Sequence, residues 1–278
     1  MHSIQHLIDI ALNEDIGPGD ITTDHLVDPG LRAKGAVAAK EPLVVAGLDV
    51  ARQVFERLDP QMTFRSEYHD GDNVDTGKSV LEVEGNLRAL LTAERTALNF
   101  LQHLSGIATH VSAYMEKLGP VGVRLVDTRK TTPGWRVLEK YAVRVGGATN
   151  HRMGLYDGVL IKDNHIAVCG GIGKSIDLIR RRVSHLIKIE VEVTDLAGVK
   201  EAVAAGADVI MLDNMSIEEI REAVSLISGK AVVEASGGVI KTDLNLLADT
   251  GVDIISVGAL THSAKNVDMS MRIQPYDR

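Results

Sequence analysis

Apolar positions early in the chain recur at helical spacing: Ile4, Leu7, Ile8, Ala11 and Leu12 fall on one face. Ser3 stands where an N-cap would, and Gly17-Pro18-Gly19 ends the pattern. Short extended runs follow at Lys34–Lys40, Met62–Tyr68 and Ser79–Glu84, with a helical period over Leu48–Leu58 between the first two and a turn at HDGDNVDTG. Together they predict a small α+β unit of roughly one hundred residues. From Leu87 to Leu118 the period is helical again, and Gly106 predicts a break between two helices.

Beyond Gly119 the rhythm changes. Apolar β-rich runs at 123–129, 158–164, 187–193, 208–214, 231–238 and 253–260 alternate with helical segments such as Asp195–Ala205 and Ile217–Ser228. Alternation of this kind predicts βα units around a parallel sheet. One more strand would close it as a barrel; an open doubly wound sheet is the alternative. The barrel is favoured because polar, chemically useful residues end nearly every run, and a barrel brings those ends to one mouth.

Composition narrows the class. The chain has 278 residues, 30 Lys+Arg against 38 Asp+Glu, a pI near 5.7 and 3% aromatic residues. An acidic chain with few stacking platforms is a poor nucleic-acid binder. Cys169 is the only cysteine, which excludes an internal disulfide and a cysteine-rich metal site. No apolar run reaches bilayer-spanning length, and the N-terminus lacks the pattern of a signal peptide, so the expectation is a cytoplasmic protein with no membrane partner. Against this acidic background, residues 127–152 carry six cations and only Asp127 and Glu139 as acids. Arg136, Lys140 and Arg144, at i, i+4 and i+8, read as a solvated helix face.

The run ends supply candidate chemistry. Cations come first, at Asp127-Thr128-Arg129-Lys130 and Lys162-Asp163-Asn164-His165; carboxylates follow, at Glu190, Glu192 and Asp213; small turns come last, at Ser236-Gly237-Gly238 and Gly258-Ala259-Leu260. Glu190 and Glu192, two apart, share a strand face. Glu192 and Asp213 are hard oxygen ligands suited to Mg²⁺ bound with substrate phosphates, whereas Glu190 reads equally as a structural partner of a cation. Small turns after the last strands of a barrel commonly bind phosphate. The composite suits a phosphorylated, metal-chelating substrate together with a carboxylate-bearing one.

LTAERTALN (91–99), DTRKTTPG (127–134), GGATNHRMGLYDGVLIKDNH (146–165), EVEV (190–193), MLDN (211–214), EASGG (234–238) and SVGALTH (256–262) resemble the quinolinate phosphoribosyltransferase family. The resemblance extends over nearly the whole chain, from GDITT (19–23) to VDMSMRI (267–273). It implies an N-terminal open-faced α/β sandwich at 1–104, an incomplete, seven-stranded α/β barrel at 105–265, and a C-terminal segment, 266–278, returning to the first domain. It also implies the reaction: quinolinate and phosphoribosyl pyrophosphate give nicotinate mononucleotide, pyrophosphate and CO₂ with Mg²⁺, in a homodimer whose sites borrow residues across the interface.

On this resemblance Arg95, Arg129 and Arg152 are quinolinate clamps, with His151, Lys162 and Thr128 beside them; Arg suits planar, bidentate carboxylate recognition. Lys130 is left between a carboxylate and the pyrophosphate. Lys130, Glu192 and Asp213 are the catalytic set, Glu192 and Asp213 serving ribose and metal. Ser236, Gly237, Gly238, Val257, Gly258 and Ala259 form the 5′-phosphate cradle, within reach of His262. Arg95 precedes the barrel and is expected to act in trans. Two other readings stay open at this stage: a paralogue acting on another aromatic acid, and a non-catalytic sugar-phosphate-binding barrel.

Overall fold

The computed structural model describes residues 2–276, with side chains from Ile4 onward. The chain divides into two compact units: Met1–Ser112 with Thr131–Gly147 and Ser263–Arg278, and Ala113–Lys130 with Ala148–His262.

In the first unit the opening helix, His2–Ile16, starts ahead of Ser3, whose side chain lies outside the described residues, and buries Ile8 and Leu12. The strands are β1 (Arg32–Ala39), β2 (Leu43–Val44), β3 (Thr63–Arg65), β4 (Asn73–Val74) and β5 (Ser79–Asn86). Alternation in β1 buries Ala33, Val37 and Ala39 on one face. The helix Leu48–Leu58 matches its apolar period and buries Val54 and Phe55. Its N-terminal amides are satisfied from the Asp-Gly turn: Asp70 accepts from Gly47 N at 2.8 Å and Leu48 N at 3.1 Å.

The helix Leu87–Leu118 is continuous, so Gly106 does not break it. A Cβ at Gly106 would collide with the Lys265 carbonyl; the glycine admits a crossing segment. The segment Thr131–Gly147, expected within the barrel, belongs to the first unit. Trp135 stacks on Phe100 with ring centroids 4.7 Å apart, and His103 bonds Glu139 and Asn266, each at 3.0 Å. In its helix, Arg136–Val145, the solvated-face reading fails at Lys140, which is fully buried.

The second unit holds β6 (Arg124–Val126), β7 (Val159–Ile161), β8 (Ile189–Val193), β9 (Val209–Asp213), β10 (Val232–Ser236) and β11 (Ile254–Ser256), in the parallel order β6-β11-β10-β9-β8-β7. Val191, Ile210, Leu212, Ala235 and Ile255 are buried, as parallel strands covered on both faces require. Of the seven strands expected, six are regular; beyond β6 one further step exists, an isolated parallel bridge from Val126 to Thr149. Two of the crossover helices, Leu196–Ala204 and Ile217–Ile227, start on side-chain caps, Asp195 accepting from Gly198 N at 2.7 Å and Ser216 pairing reciprocally with Glu219.

A final strand, β12 (Met269–Pro275), returns to the first unit and runs antiparallel to β1, from Ala39↔Met269 to Ala33↔Pro275. The larger sheet there is ordered β12-β1-β5-β3.

Candidate active site

Strand register in the second unit gathers the chemistry on one face. Glu192 lies beside Met211, and Met211 beside Glu234. Residues two apart on a strand share a face, so Glu190, Asp213, Ser236 and, from the pairing of Glu234 with Ile254, Ser256 face the same way. Lys162 directly follows β7, and its Nζ ion-pairs with Glu192 Oε2. Asp213 accepts from the Asn214 amide at 2.8 Å.

Arg152 lies in the irregular stretch before β7, half-buried, with its guanidinium donating to the Gly158 carbonyl at 2.8 Å. Burial, then the positive charge of Arg129, holds its pKa below the usual arginine value, while Glu190 and Asp157 oppose this. The charge of Arg129 is thus felt at Arg152, and both would favour an anion.

Lys130 faces other groups. Its backbone N–H donates to Thr128 Oγ1 at 3.1 Å, and its carbonyl accepts from Thr261 Oγ1 at 2.7 Å. A Cβ on Gly258 would stand 2.8 Å from Lys130 Cδ and 3.2 Å from His262 Nε2, so both side chains close over that glycine. Val257 N bonds back to the Val126 carbonyl, and Ala259 begins the short helix Ala259–His262. In the other small turn Gly237 has φ +92° and Gly238 φ +61°, and a Cβ on Gly237 would collide with Asn214.

His151 is less open to a ligand than the sequence suggested. Its Nδ1 accepts the backbone N–H of Arg152 at 2.7 Å, and its Nε2 lies 3.1 Å from Glu190 Oε2 and 3.7 Å from Glu234 Oε1. Burial, then the Glu190 carboxylate, pushes the Glu234 carboxyl up to about 7; His151 and Ser256 pull the other way. Among the described residues, buried Glu190 Oε1, Glu234 Oε1 and Ser256 Oγ have no hydrogen-bond partner within 3.5 Å, so their mutual contacts are longer than ordinary hydrogen bonds. His151, Glu190 and Glu234 also form the one described group whose ligand atoms, all within 4.8 Å, could hold a metal; Glu192 and Asp213 are outside it.

The second unit thus contains every sequence-predicted site residue except Arg95, which is exposed on the helix Leu87–Leu118 of the first. Glu234, and Asp127 as an anchor, were absent from the predicted set. Their signal was a carboxylate inside or at the end of an apolar strand run, where burial without a partner is costly.

A sequence profile for the quinolinate phosphoribosyl transferase N-terminal domain matches residues 20–105, and one for the C-terminal domain matches 107–272. A Bacillus subtilis protein named as a probable nicotinate-nucleotide pyrophosphorylase (carboxylating) is 42% identical over 270 residues, 97% of this chain and 93% of its own. Quinolinate phosphoribosyltransferase (decarboxylating) 1b of Nicotiana tabacum is 37% identical, with 98% of this chain and 83% of its own covered. The crystal structure of NadC from Streptococcus pyogenes superposes with a TM-score of 0.96 at 46% identity, covering 99% of this chain and 98% of that one.

Proposed function

Because the chain belongs to the quinolinate phosphoribosyltransferase family, we propose that it transfers phosphoribosyl from phosphoribosyl pyrophosphate to quinolinate. Decarboxylation yields nicotinate mononucleotide, a step of NAD biosynthesis. The observation that carries this reading is Arg152 held half-buried, its guanidinium fixed on the Gly158 carbonyl, in the unit that also holds Arg129 and the Lys162–Glu192 ion pair. Arg129 and Arg152 lie in one unit with Lys162 at the end of β7, and a cation set of this kind suits an anion with two carboxylates on a planar ring, which quinolinate is. Thr128 adds a hydroxyl, which accepts from Lys130 N and keeps its proton for a ligand.

The nucleophile is the ring nitrogen of quinolinate, which has a lone pair and no proton to remove. No general base is required; the chain aligns two substrates and stabilises charge. As the bond from the anomeric carbon to pyrophosphate breaks, positive charge grows on the ribose, and Glu192 and Asp213 are the carboxylates suited to offset it. Lys130, packed with His262 over Gly258, is assigned to the phosphate side, and the turns at Ser236–Gly238 and Val257–Ala259 to the 5′-phosphate. Once ribosylated, the ring nitrogen is cationic and stabilises the carbanion left when the C2 carboxylate departs as CO₂.

Glu192 and Asp213 offer the hard oxygen donors that Mg²⁺ takes, although Lys162 already pairs with Glu192. They would hold the ion, and bound Mg²⁺ supplies countercharge for the pyrophosphate oxygens. A cytoplasmic homodimer completes the reading: Arg95, exposed on the first unit, would act in the partner's site. No described helix is long and apolar enough to cross a membrane.

Arg129→Lys tests the dicarboxylate assignment. It keeps the charge and loses the fork, so the KM for quinolinate should rise by the equivalent of about 1.5–3 kcal/mol, with that for phosphoribosyl pyrophosphate little changed. Equal weakening of both would remove Arg129 from the quinolinate site.

A further inference from the structure

Residues 150–158, which carry Arg152, form no regular helix or strand. A clamp that must meet a rigid dicarboxylate within a fraction of an ångström needs another source of rigidity. Side chains supply it. Asp127, fully buried, accepts from the His151 backbone N–H at 2.9 Å and from the Asn150 amide at 2.6 Å, which pins the start of the segment to the end of β6. Asp157 accepts from Met153 N at 2.7 Å and Gly154 N at 2.8 Å, which closes the following turn.

Between these anchors the chain direction at Arg152 depends on the His151 ring. A ring that accepts at Nδ1 from the Arg152 N–H carries its proton on Nε2. That proton points at Glu190 on β8, and Glu234 on β10 stands on the same side. Both carboxylates rise from regular strands with buried flanks, so their positions are set by the sheet.

We infer that Glu190 and Glu234 are positioning residues, which hold the His151 ring against the sheet so that its Nδ1 fixes the Arg152 backbone for an anionic substrate. His151 then acts on the anion site through the Arg152 backbone. The inference rests on quinolinate as the anion only for its kinetic arm; the ring geometry stands apart from the substrate.

The direct measurement is the ¹⁵N spectrum of histidine-labelled full-length protein, with the His151 signals assigned by their loss in His151→Asn. The wild-type ring should be the neutral form protonated at Nε2 alone, and the same after treatment with EDTA. Glu190→Ala and Glu234→Ala should each disturb that signal and raise the quinolinate KM at least tenfold, with the phosphoribosyl pyrophosphate KM changed less than twofold. Glu190→Gln, whose amide oxygen still accepts from Nε2, should restore most of the loss. Protonation at Nδ1 in the wild type would overturn the inference, as would an equal rise in both KM values. An EDTA-dependent His151 signal would overturn it too, by making the cluster a cation site. If quinolinate is not consumed at all, the proposed function fails, while the wild-type spectrum still decides the ring geometry.

Discussion

Each unit of the molecule sets a half-buried histidine against buried glutamate, and the two arrangements differ in kind. In the first unit His103 faces a single carboxylate. Burial opposes charge on both partners, yet the bonds to Glu139 and Asn266 raise the His103 pKa, and the bonds from His103 and Thr132 lower that of Glu139. The result is a closed ion pair, its remaining positions filled by Asn266 and the Thr132 N–H. In the second unit His151 faces two carboxylates. One proton on Nε2 cannot satisfy both, and the surplus appears as the raised Glu234 carboxyl and the buried oxygens without partners. A single acid beside a histidine fastens a helix; two acids hold a ring in one orientation at a cost in stability, which is characteristic of functional sites.

The division of labour between the units is open to attack at Arg95, the first unit's proposed contribution to catalysis. Arg95→Ala and Lys162→Ala homodimers should each be nearly inactive. Co-expressed, about half of the dimers should be hybrids, with one site carrying both lesions and the other neither, and activity should recover to about a quarter of wild type. No recovery, with hybrids shown to form, would return Arg95 to its own subunit.

The next largest effect separates the two histidines. Glu139→Ala leaves half-buried His103 without its carboxylate, and losing a hydrogen bond between charged groups costs about 1.5–3 kcal/mol. Thermal unfolding should register that loss. The quinolinate and phosphoribosyl pyrophosphate KM values of the surviving folded protein should move together, in contrast to the selective change expected at Glu190.

The pH dependence of stability sharpens the contrast. A carboxyl raised from 4.5 to about 7 contributes stability that is fully present below pH 4.5 and is lost as the pH rises to about 7. Relative to Glu234→Gln, the wild type should lose on the order of 3 kcal/mol over that window, at about 1.4 kcal/mol per unit. The His103–Glu139 pair behaves otherwise. Lowered Glu139 contributes above its ordinary 4.5, and raised His103 contributes up to and beyond its ordinary 6.5. Its share should therefore be steady between those values. Denaturant titrations of wild type, Glu234→Gln and Glu139→Ala across this range separate the two; a flat wild-type-minus-Glu234→Gln difference would contradict the account of Glu234.

Much of this was legible in the residues because it depends on local pattern. Leu48–Leu58 and the six apolar runs reveal themselves by periodicity, and the strand-end motifs fall in the second unit, as their spacing implies. What was not legible depends on neighbours distant in sequence. Lys140 has the spacing of a solvated face but is buried. Gly106 looks like a helix breaker until the Lys265 backbone is found against it. Glu234 is one acid in AVVEASGG, and only strand order brings it to Glu190 and His151. One strand beyond the six runs was expected; among the described residues the sheet gains the single bridge at Thr149, and residues 150–158 after it form no regular strand.

The central claim is the carboxylating transfer itself. Purified protein should be given phosphoribosyl pyrophosphate, Mg²⁺ and quinolinate labelled in the C2 carboxylate. The account predicts labelled CO₂ in step with nicotinate mononucleotide and pyrophosphate, only when both substrates and the metal are present. Nucleotide formed without loss of the label, or no turnover by protein shown to bind both substrates, would contradict it.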